Sequence, residues 1–293
     1  MSESAAPRPD SAGQMADSAA FLARLAQRAR ESDGQPPFSD QSLVDYRLGL
    51  RELITIDEVA AALLSPTEAE FVVDPDARGR GHGTVLLERL LSLSAGGLLV
   101  WAHGDHPAAR SLARSHALEA VRELLHLRRA VDGQASGERE AENGAADSGD
   151  HALRRFRVGV DEEDWLSLNG RAFASHPEQG RVSRADLDAL LDEPWFDAGD
   201  FLLLHDGGRL AGFCWLKVDG SEGEFYVVGV DPDHQGEGLG RRLAVAGLDR
   251  LRERGIRSAH LYVEGDNTAA VRLYRSLGFA DDSVDIQYRS AAR

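Results

Sequence analysis

An α/β fold built twice in tandem is what this sequence predicts, on three observations. β-Branched, strand-like runs alternate with amphipathic helical stretches, the pattern of helices packed on sheets. The two halves of the chain carry the same elements in the same order. Between them lies Val131 to Asp150, rich in Gly, Ala, Glu and Asp. Such a stretch buries too little apolar surface to order itself and reads as a linker.

Each half opens on a helix, at Ala20–Arg30 and at Glu162–Phe173. Strands at Glu70–Val73 and Glu224–Val230 then run into glycine turns. Helices at Thr84–Leu93 and Arg241–Arg254 follow the turns. A further strand comes next (Leu98–His103; Ala259–Val263), then a short helix (Ala108–Ser115; Thr268–Ser276). The residues repeat as well as the pattern. Phe71-Val72-Val73-Asp74-Pro75 with Arg78-Gly79-Arg80-Gly81-His82-Gly83 is answered by Val228-Gly229-Val230-Asp231-Pro232 with Gln235-Gly236-Glu237-Gly238-Leu239-Gly240, 157 residues later. Asp105-His106-Pro107-Ala108-Ala109 is answered by Asp266-Asn267-Thr268-Ala269-Ala270, 161 residues later. Matching order and spacing favour duplication of a whole domain. The expected boundaries are 16–132 for the first domain, 133–151 for the linker and 152–293 for the second.

A chain of 293 residues accommodates two domains of ordinary size, and 42% apolar content gives each a sizeable core. Few aromatics favour helices on sheets over an all-β sandwich. The net charge of −16 excludes the basic footprint of a nucleic-acid binder. It also requires any anionic ligand to be held by local geometry rather than by the overall field. The single cysteine, Cys214, excludes an internal disulfide and a cysteine zinc cluster. Its apolar neighbours make it read as a buried, inert thiol. His103, His106, His116 and His126 fit no metal-ligand set. Met1 to Met15 lacks the basic and apolar parts of a signal peptide. No stretch approaches the roughly 20 apolar residues of a membrane span. The expectation is a soluble, cytoplasmic monomer with no metal, no nucleic acid and no membrane contact.

The two glycine turns carry the chemistry. Glycines take φ > 0 and admit a phosphate close to the backbone. The amides at the following helix start then point at the anion. Taken alone the pattern also suits an ordinary strand-to-helix turn. The spacing is neither that of a dinucleotide fingerprint nor that of a P-loop.

In context, the turns resemble the GCN5-related N-acetyltransferases. Val228 to Pro232 with Gln235–Gly240 is similar to that superfamily's pyrophosphate motif. Asn267, Tyr274 and Leu277-Gly278-Phe279 are similar to its terminal motif. Finer stretches resemble its tandem-domain mycothiol synthase family. These are Trp101-Ala102-His103-Gly104, Val121-Arg122-Glu123-Leu124, His176-Pro177-Glu178-Gln179-Gly180, Gly212 to Lys217, Gly223 to Pro232 and Leu261-Tyr262-Val263-Glu264.

The resemblance implies, for each domain, a mixed and mostly antiparallel sheet flanked by helices. It implies acetyl-CoA as acetyl donor and the cysteinyl amine of cysteinyl-glucosaminyl-inositol as acceptor. It implies cofactor contacts at Phe71, Val72, Val73 and Arg78–Gly83 in the first domain. In the second it implies Val228, Gly229, Val230, Gln235–Arg241 and Thr268, Ala269, Ala270, Val271 and Arg272 with Asn267. Substrate contacts are implied at Asp40, Glu178, Lys217, Glu224 and Tyr262. The chain departs from the family at Asp40, where Glu is expected, and at Cys214, where His is expected. Leu53 to Ala69 looks shortened.

Glu224 reads as a solvated strand end or as the general base for the amine, whose pKa of about 7.7–8.0 needs mild assistance. Tyr274 reads as core packing or as the general acid, its phenol being protonated at pH 7. If the strand bulges, the amides of Val228 and Val230 could polarise a thioester carbonyl. The repeat offsets set Thr67 against Glu224 and Ala113 against Tyr274. The first domain is therefore expected to bind acetyl-CoA without catalysing and to lend Asp40 to a cleft between the domains, with Glu68 or Glu70 as an alternative base. Two other readings stay open: an acetyltransferase for another amine, such as a protein N-terminus or an aminoglycoside, and a non-catalytic acetyl-CoA sensor.

Overall fold

The computed structural model describes residues 11–94, 96–131, 151–174 and 179–291, with the side chains of 11–16, 40 and 151 left aside. The expected linker, apart from Val131 and His151, lies outside the described residues. The described chain forms two compact units. One holds the residues up to Leu124 together with those from Ser283 onward; the other holds Leu125–Asp282.

The first unit begins with α1 (Ser11–Asp33) and α2 (Asp40–Arg47). Three antiparallel strands follow, β1 (Glu52–Ile56), β2 (Ala60–Leu64) and β3 (Glu68–Val73). After α3 (His82–Leu93), strand β4 (Leu99–Ala102) pairs parallel with β3. Helix α4 (Pro107–Ser115) leads to β5 (Glu119–Ala130). The region Leu53 to Ala69, expected to be short, still supplies two strands and the start of a third.

The sheet is covered on both faces, and β2 shows why. Ala60 and Ala62 join the core under α3, with Leu86, Leu87 and Leu90. Ala61 and Leu63 join the opposite core, with Leu22, Leu25 and Ala29 of α1. The period-2 alternation of a strand thus feeds two apolar layers. The helix residues recur at the three- and four-residue spacing of an amphipathic face.

The second unit repeats the plan. It contains β6 (His151–Arg155), α5 (Glu162–Ala172), α6 (Arg184–Leu191), β7 (Phe201–Asp206), β8 (Arg209–Asp219), β9 (Glu222–Val230), α7 (Leu239–Glu253), β10 (Ser258–Glu264) and α8 (Thr268–Ser276). Its strand order is β5-β10-β9-β8-β7-β6. β9 and β10 pair parallel, and β6 to β9 run antiparallel. One face packs an aromatic core of Trp165, Phe201, Phe213 and Trp215 under α5 and α6. The other packs Leu202, Leu204, Cys214 and Phe225 under α7 and α8. Cys214 is fully buried, and burial pushes its thiol well above the usual range.

The last strand, β11 (Ala280–Arg289), turns the sequential picture around. Its outer part pairs antiparallel with β4, from Ile286↔Ala102 to Arg289↔Leu99, and so completes the first unit's sheet. Asp285 on this strand meets His103 Nδ1 at 2.8 Å, and His103 Nε2 lies 3.5 Å from Glu70. Burial alone would raise the Glu70 carboxyl, but His103, Ser42 and Ser39 bring it down to about 2. Burial alone would lower His103, but Asp285 and Glu70 carry it up to about 10.

The pair sets a pH window. Glu70 contributes stability above its ordinary 4.5 and loses it as pH falls toward 2. His103 contributes fully below its ordinary 6.5 and loses it as pH rises toward 10. The contribution is therefore complete between these two ordinary values. The folding equilibrium of the parent chain should fall roughly tenfold or more as pH rises from about 6.5 to about 9.5. Urea midpoints across that range check it, and His103→Gln should flatten the slope.

Candidate active site

Both glycine turns have the same backbone. Asp74 and Asp231 each cap a short turn, accepting from the amides of Asp76 and Asp233. Gly79 and Gly81 have φ of +73° and +88°, and Gly236 and Gly238 have +87° and +82°. Gly81 and Gly238 are the N-cap residues of α3 and α7, and neither helix start has a side-chain cap. Nothing lies within 4 Å of where a Cβ would sit on these four glycines. The loops therefore need glycine for their left-handed φ, and their helix starts lack a side-chain cap, an arrangement that fits a pyrophosphate. The third glycine of each loop is different. A Cβ on Gly83 would crowd Leu112 at 3.2 Å, so this position lets the short helix pack closely, while one on Gly240 would make ordinary contact with Leu273 at 3.5 Å.

In the first unit the loop opens onto a cavity of about 470 Å³. Phe71, Val72, Val73, Arg78, Gly79, Gly81, His82 and Gly83 line it; Arg80 lies outside that lining. The Arg78 guanidinium is committed to Asp33, with both contacts at 2.7 Å. Its backbone, not its side chain, is what the loop offers an anion.

In the second unit β9 and β10 pair in register from Glu222↔Ser258 to Glu224↔His260. β9 continues to Val230 and β10 to Glu264, so the strands part just beyond Glu224. β9 also bulges. Its pairing with β8 shifts by one residue between Trp215 and Leu216, leaving Tyr226 as the extra residue. The bulge thus falls two residues before Val228. In the first unit the β2–β3 register is continuous from Ala60↔Val73 to Leu64↔Ala69. With Tyr226 unmatched, the counterpart of Glu224 moves from Thr67 to Glu68. Strand pairing agrees: Glu68 faces Leu99 as Glu224 faces His260. Glu68 lies 3.5 Å from Arg51.

Glu224 is 19% exposed and stands opposite Lys217 on β8. The Lys217 ammonium sits 5.4 Å above the Trp195 ring. Tyr262, two residues past His260 on β10, is 44% exposed. Tyr274 on α8 is 7% exposed, its ring edge-on to Phe225 and Phe279. Burial, and secondarily Cys214, push its phenol above the usual range, so it stays protonated. Asn267 caps α8 by accepting from the Ala270 amide at 3.1 Å, and Val271 and Leu239 are core residues. Asp40 opens α2, with its side chain outside the description; Glu178 lies outside the described residues.

Sequence reasoning missed His260, His126, Asp282 and Trp195. Alternation along β10 sets His260 and Tyr262 on one face, a signal that was present. That β5 and β11 bring His126 and Asp282 to the same place depends on sheet order, which local pattern does not carry.

Comparison with known proteins bears on the fold and the family. Residues 165–279 match the acetyltransferase (GNAT) family. A GCN5-related N-acetyltransferase from Sphaerobacter thermophilus shares the fold with a TM-score of 0.66 at 21% identity, covering 94% of this chain and 93% of that one. A tandem GNAT protein from the clavulanic acid biosynthesis pathway does so with a TM-score of 0.65 at 17% identity, covering 95% and 96%. Fold and loops together define the class, a GCN5-related N-acetyltransferase built in tandem.

A mycothiol acetyltransferase of Clavibacter sepedonicus is 47% identical, covering 98% of this chain and 96% of the relative. One from Streptomyces coelicolor is 42% identical, covering 92% and 91%. The chain belongs to the mycothiol acetyltransferase family.

Proposed function

We propose that the protein acetylates the cysteinyl amine of cysteinyl-glucosaminyl-inositol with acetyl-CoA, giving mycothiol. The observation that carries this reading is the second unit's arrangement. Glu224 stands where two parallel strands part, just before a bulge and an uncapped, glycine-turned helix start. When bound, acetyl-CoA supplies an activated acetyl thioester. The amides at the start of α7 would hold its pyrophosphate. Glu224 takes a proton from the substrate ammonium and orients the amine. Lys217, opposite Glu224 in register, and Tyr262, exposed nearby, contact the polyhydroxyl acceptor. Tyr274, held neutral by burial, gives a proton to the departing sulfur.

The first unit keeps the binding loop and its cavity but has a continuous β3 and Ala113 in place of the tyrosine. It binds acetyl-CoA and does not catalyse. No described helix is long and apolar enough to cross a membrane. We place the reaction in the cytoplasm, carried out by a monomer without metal.

The test is acetyl transfer to cysteinyl-glucosaminyl-inositol beside a panel holding an aminoglycoside and a peptide N-terminus. A preference of at least about 10²-fold in kcat/KM for the first is expected, since a site built to bond a substrate's polar groups rejects molecules lacking them. Equal rates across the panel would overturn the substrate assignment.

A further inference from the structure

The face of the second unit's sheet that carries Glu224 continues sideways as a row of polar side chains. The row runs from Glu224 on β9 to His260 on β10, His126 on β5 and Asp282 on β11. His260 Nε2 is 3.9 Å from Glu224 Oε2. The His126 ring meets the His260 ring edge-on at 5.2 Å and stacks on Tyr262 at 4.6 Å. His126 Nδ1 lies 3.1 Å from Asp282 Oδ2. The row ends at water: His126 is 6% exposed and Asp282 is 34% exposed. His260 Nδ1 is buried with no hydrogen-bond partner. Arg128 flanks the row, bonded to Glu222, Ser258 and Asp282.

Proton balance gives this row a task. Acetylation breaks the C–S bond and forms a C–N bond. The substrate nitrogen, starting as an ammonium, loses two protons. One ends on sulfur; the other must reach water in every turnover. Glu224 accepts that second proton and must shed it before the next cycle. The amine has to sit within hydrogen-bond reach of Glu224, on the open side of the carboxylate. The row of rings leads away on the other side.

We propose that His260 is a positioning residue that carries this proton from Glu224 to His126 and Asp282. It rests on the reading of Glu224 as the base. At 3.9 Å, transfer between Glu224 and His260 takes one bridging water or a small ring rotation. The ring accepts on one nitrogen and releases from the other, and its tautomer resets by exchange with water. Burial, then His126 and Arg128, push His260 down to about 4, against Glu222 and Asp282. The ring is therefore neutral at pH 7, which leaves it able to accept and keeps a cation from pinning the Glu224 carboxylate.

The experiment compares His260→Leu and Glu224→Gln in the full chain, with thermal melts confirming the fold. His260→Leu should lower kcat on the order of tenfold, less than loss of a direct proton-transfer group. KM for acetyl-CoA should not change. The solvent deuterium isotope effect on kcat should rise, and added imidazole should restore part of the rate, as it should not for Glu224→Gln. If His260→Leu keeps its kcat and isotope effect within about twofold while Glu224→Gln is inactive, the relay is overturned and the base stands. A loss that imidazole does not restore, with the isotope effect unchanged, marks a packing role and also overturns it. If Glu224→Gln turns over normally, both readings fall together.

Discussion

Glu224→Gln should lower kcat by roughly 10²–10⁴-fold while leaving acetyl-CoA affinity nearly unchanged. Gln keeps the size and a hydrogen-bonding carbonyl but cannot take a proton near neutral pH. The site otherwise stays intact. Glu224 lies on β9 before the bulge, whereas the anion loop begins only after Asp231. The pH profile gives a sharper signature than the rate alone. With the base gone, the amine must lose its proton to water, so the variant's rate should climb as pH passes about 7.7–8.0, the α-amino range. Steady-state kinetics from about pH 6 to pH 9, with acetyl-CoA binding measured by calorimetry, check both parts. Turnover near that of the parent at neutral pH would remove Glu224 from the mechanism.

Much of this was legible locally. The strands before the loops and the helices after them are fixed by hydrophobic period and by glycine. Predicted Thr84–Leu93 and Arg241–Arg254 differ from α3 and α7 by two residues at the start and at most one at the end. The bulge was not legible, because Tyr226 sits inside an apolar run where one extra residue leaves no mark. That residue alone moves the counterpart of Glu224 from Thr67 to Glu68. The destination of β11 was not legible either. A strand's own pattern says which face it buries, not which sheet edge it joins, and β11 joins β4 of the first unit. The commitment of Arg78 to Asp33 was hidden because the two lie 45 residues apart. The histidine row was hidden for the same reason: β5, β10 and β11 are distant in sequence and neighbours only in the folded sheet.

Breaking one glycine loop at a time should separate the roles of the two units. Gly238→Val should cost turnover at least about 10²-fold by losing cofactor placement, while Gly81→Val should leave it within about threefold. The physical cause is the same at both positions. Each glycine has φ above +80° at the N-cap of its helix, with open space where a Cβ would go. A β-branched side chain there is strained by roughly 1–2 kcal/mol or more and fills the space a phosphate needs. Melting curves guard against simple unfolding, and Gly238→Ala and Gly81→Ala, milder in both strain and bulk, provide a graded second pair. Calorimetry of the parent should resolve two acetyl-CoA sites, and each Val variant should lose one. The functional asymmetry follows from what surrounds the loops. The second unit joins its loop to Glu224, a bulged β9 and Tyr274. The first joins an equivalent loop to a continuous β3, a Glu68 facing Arg51, and Ala113. If turnover survives Gly238→Val and dies with Gly81→Val, the catalytic unit is the first one, and Glu68 becomes the residue to substitute next.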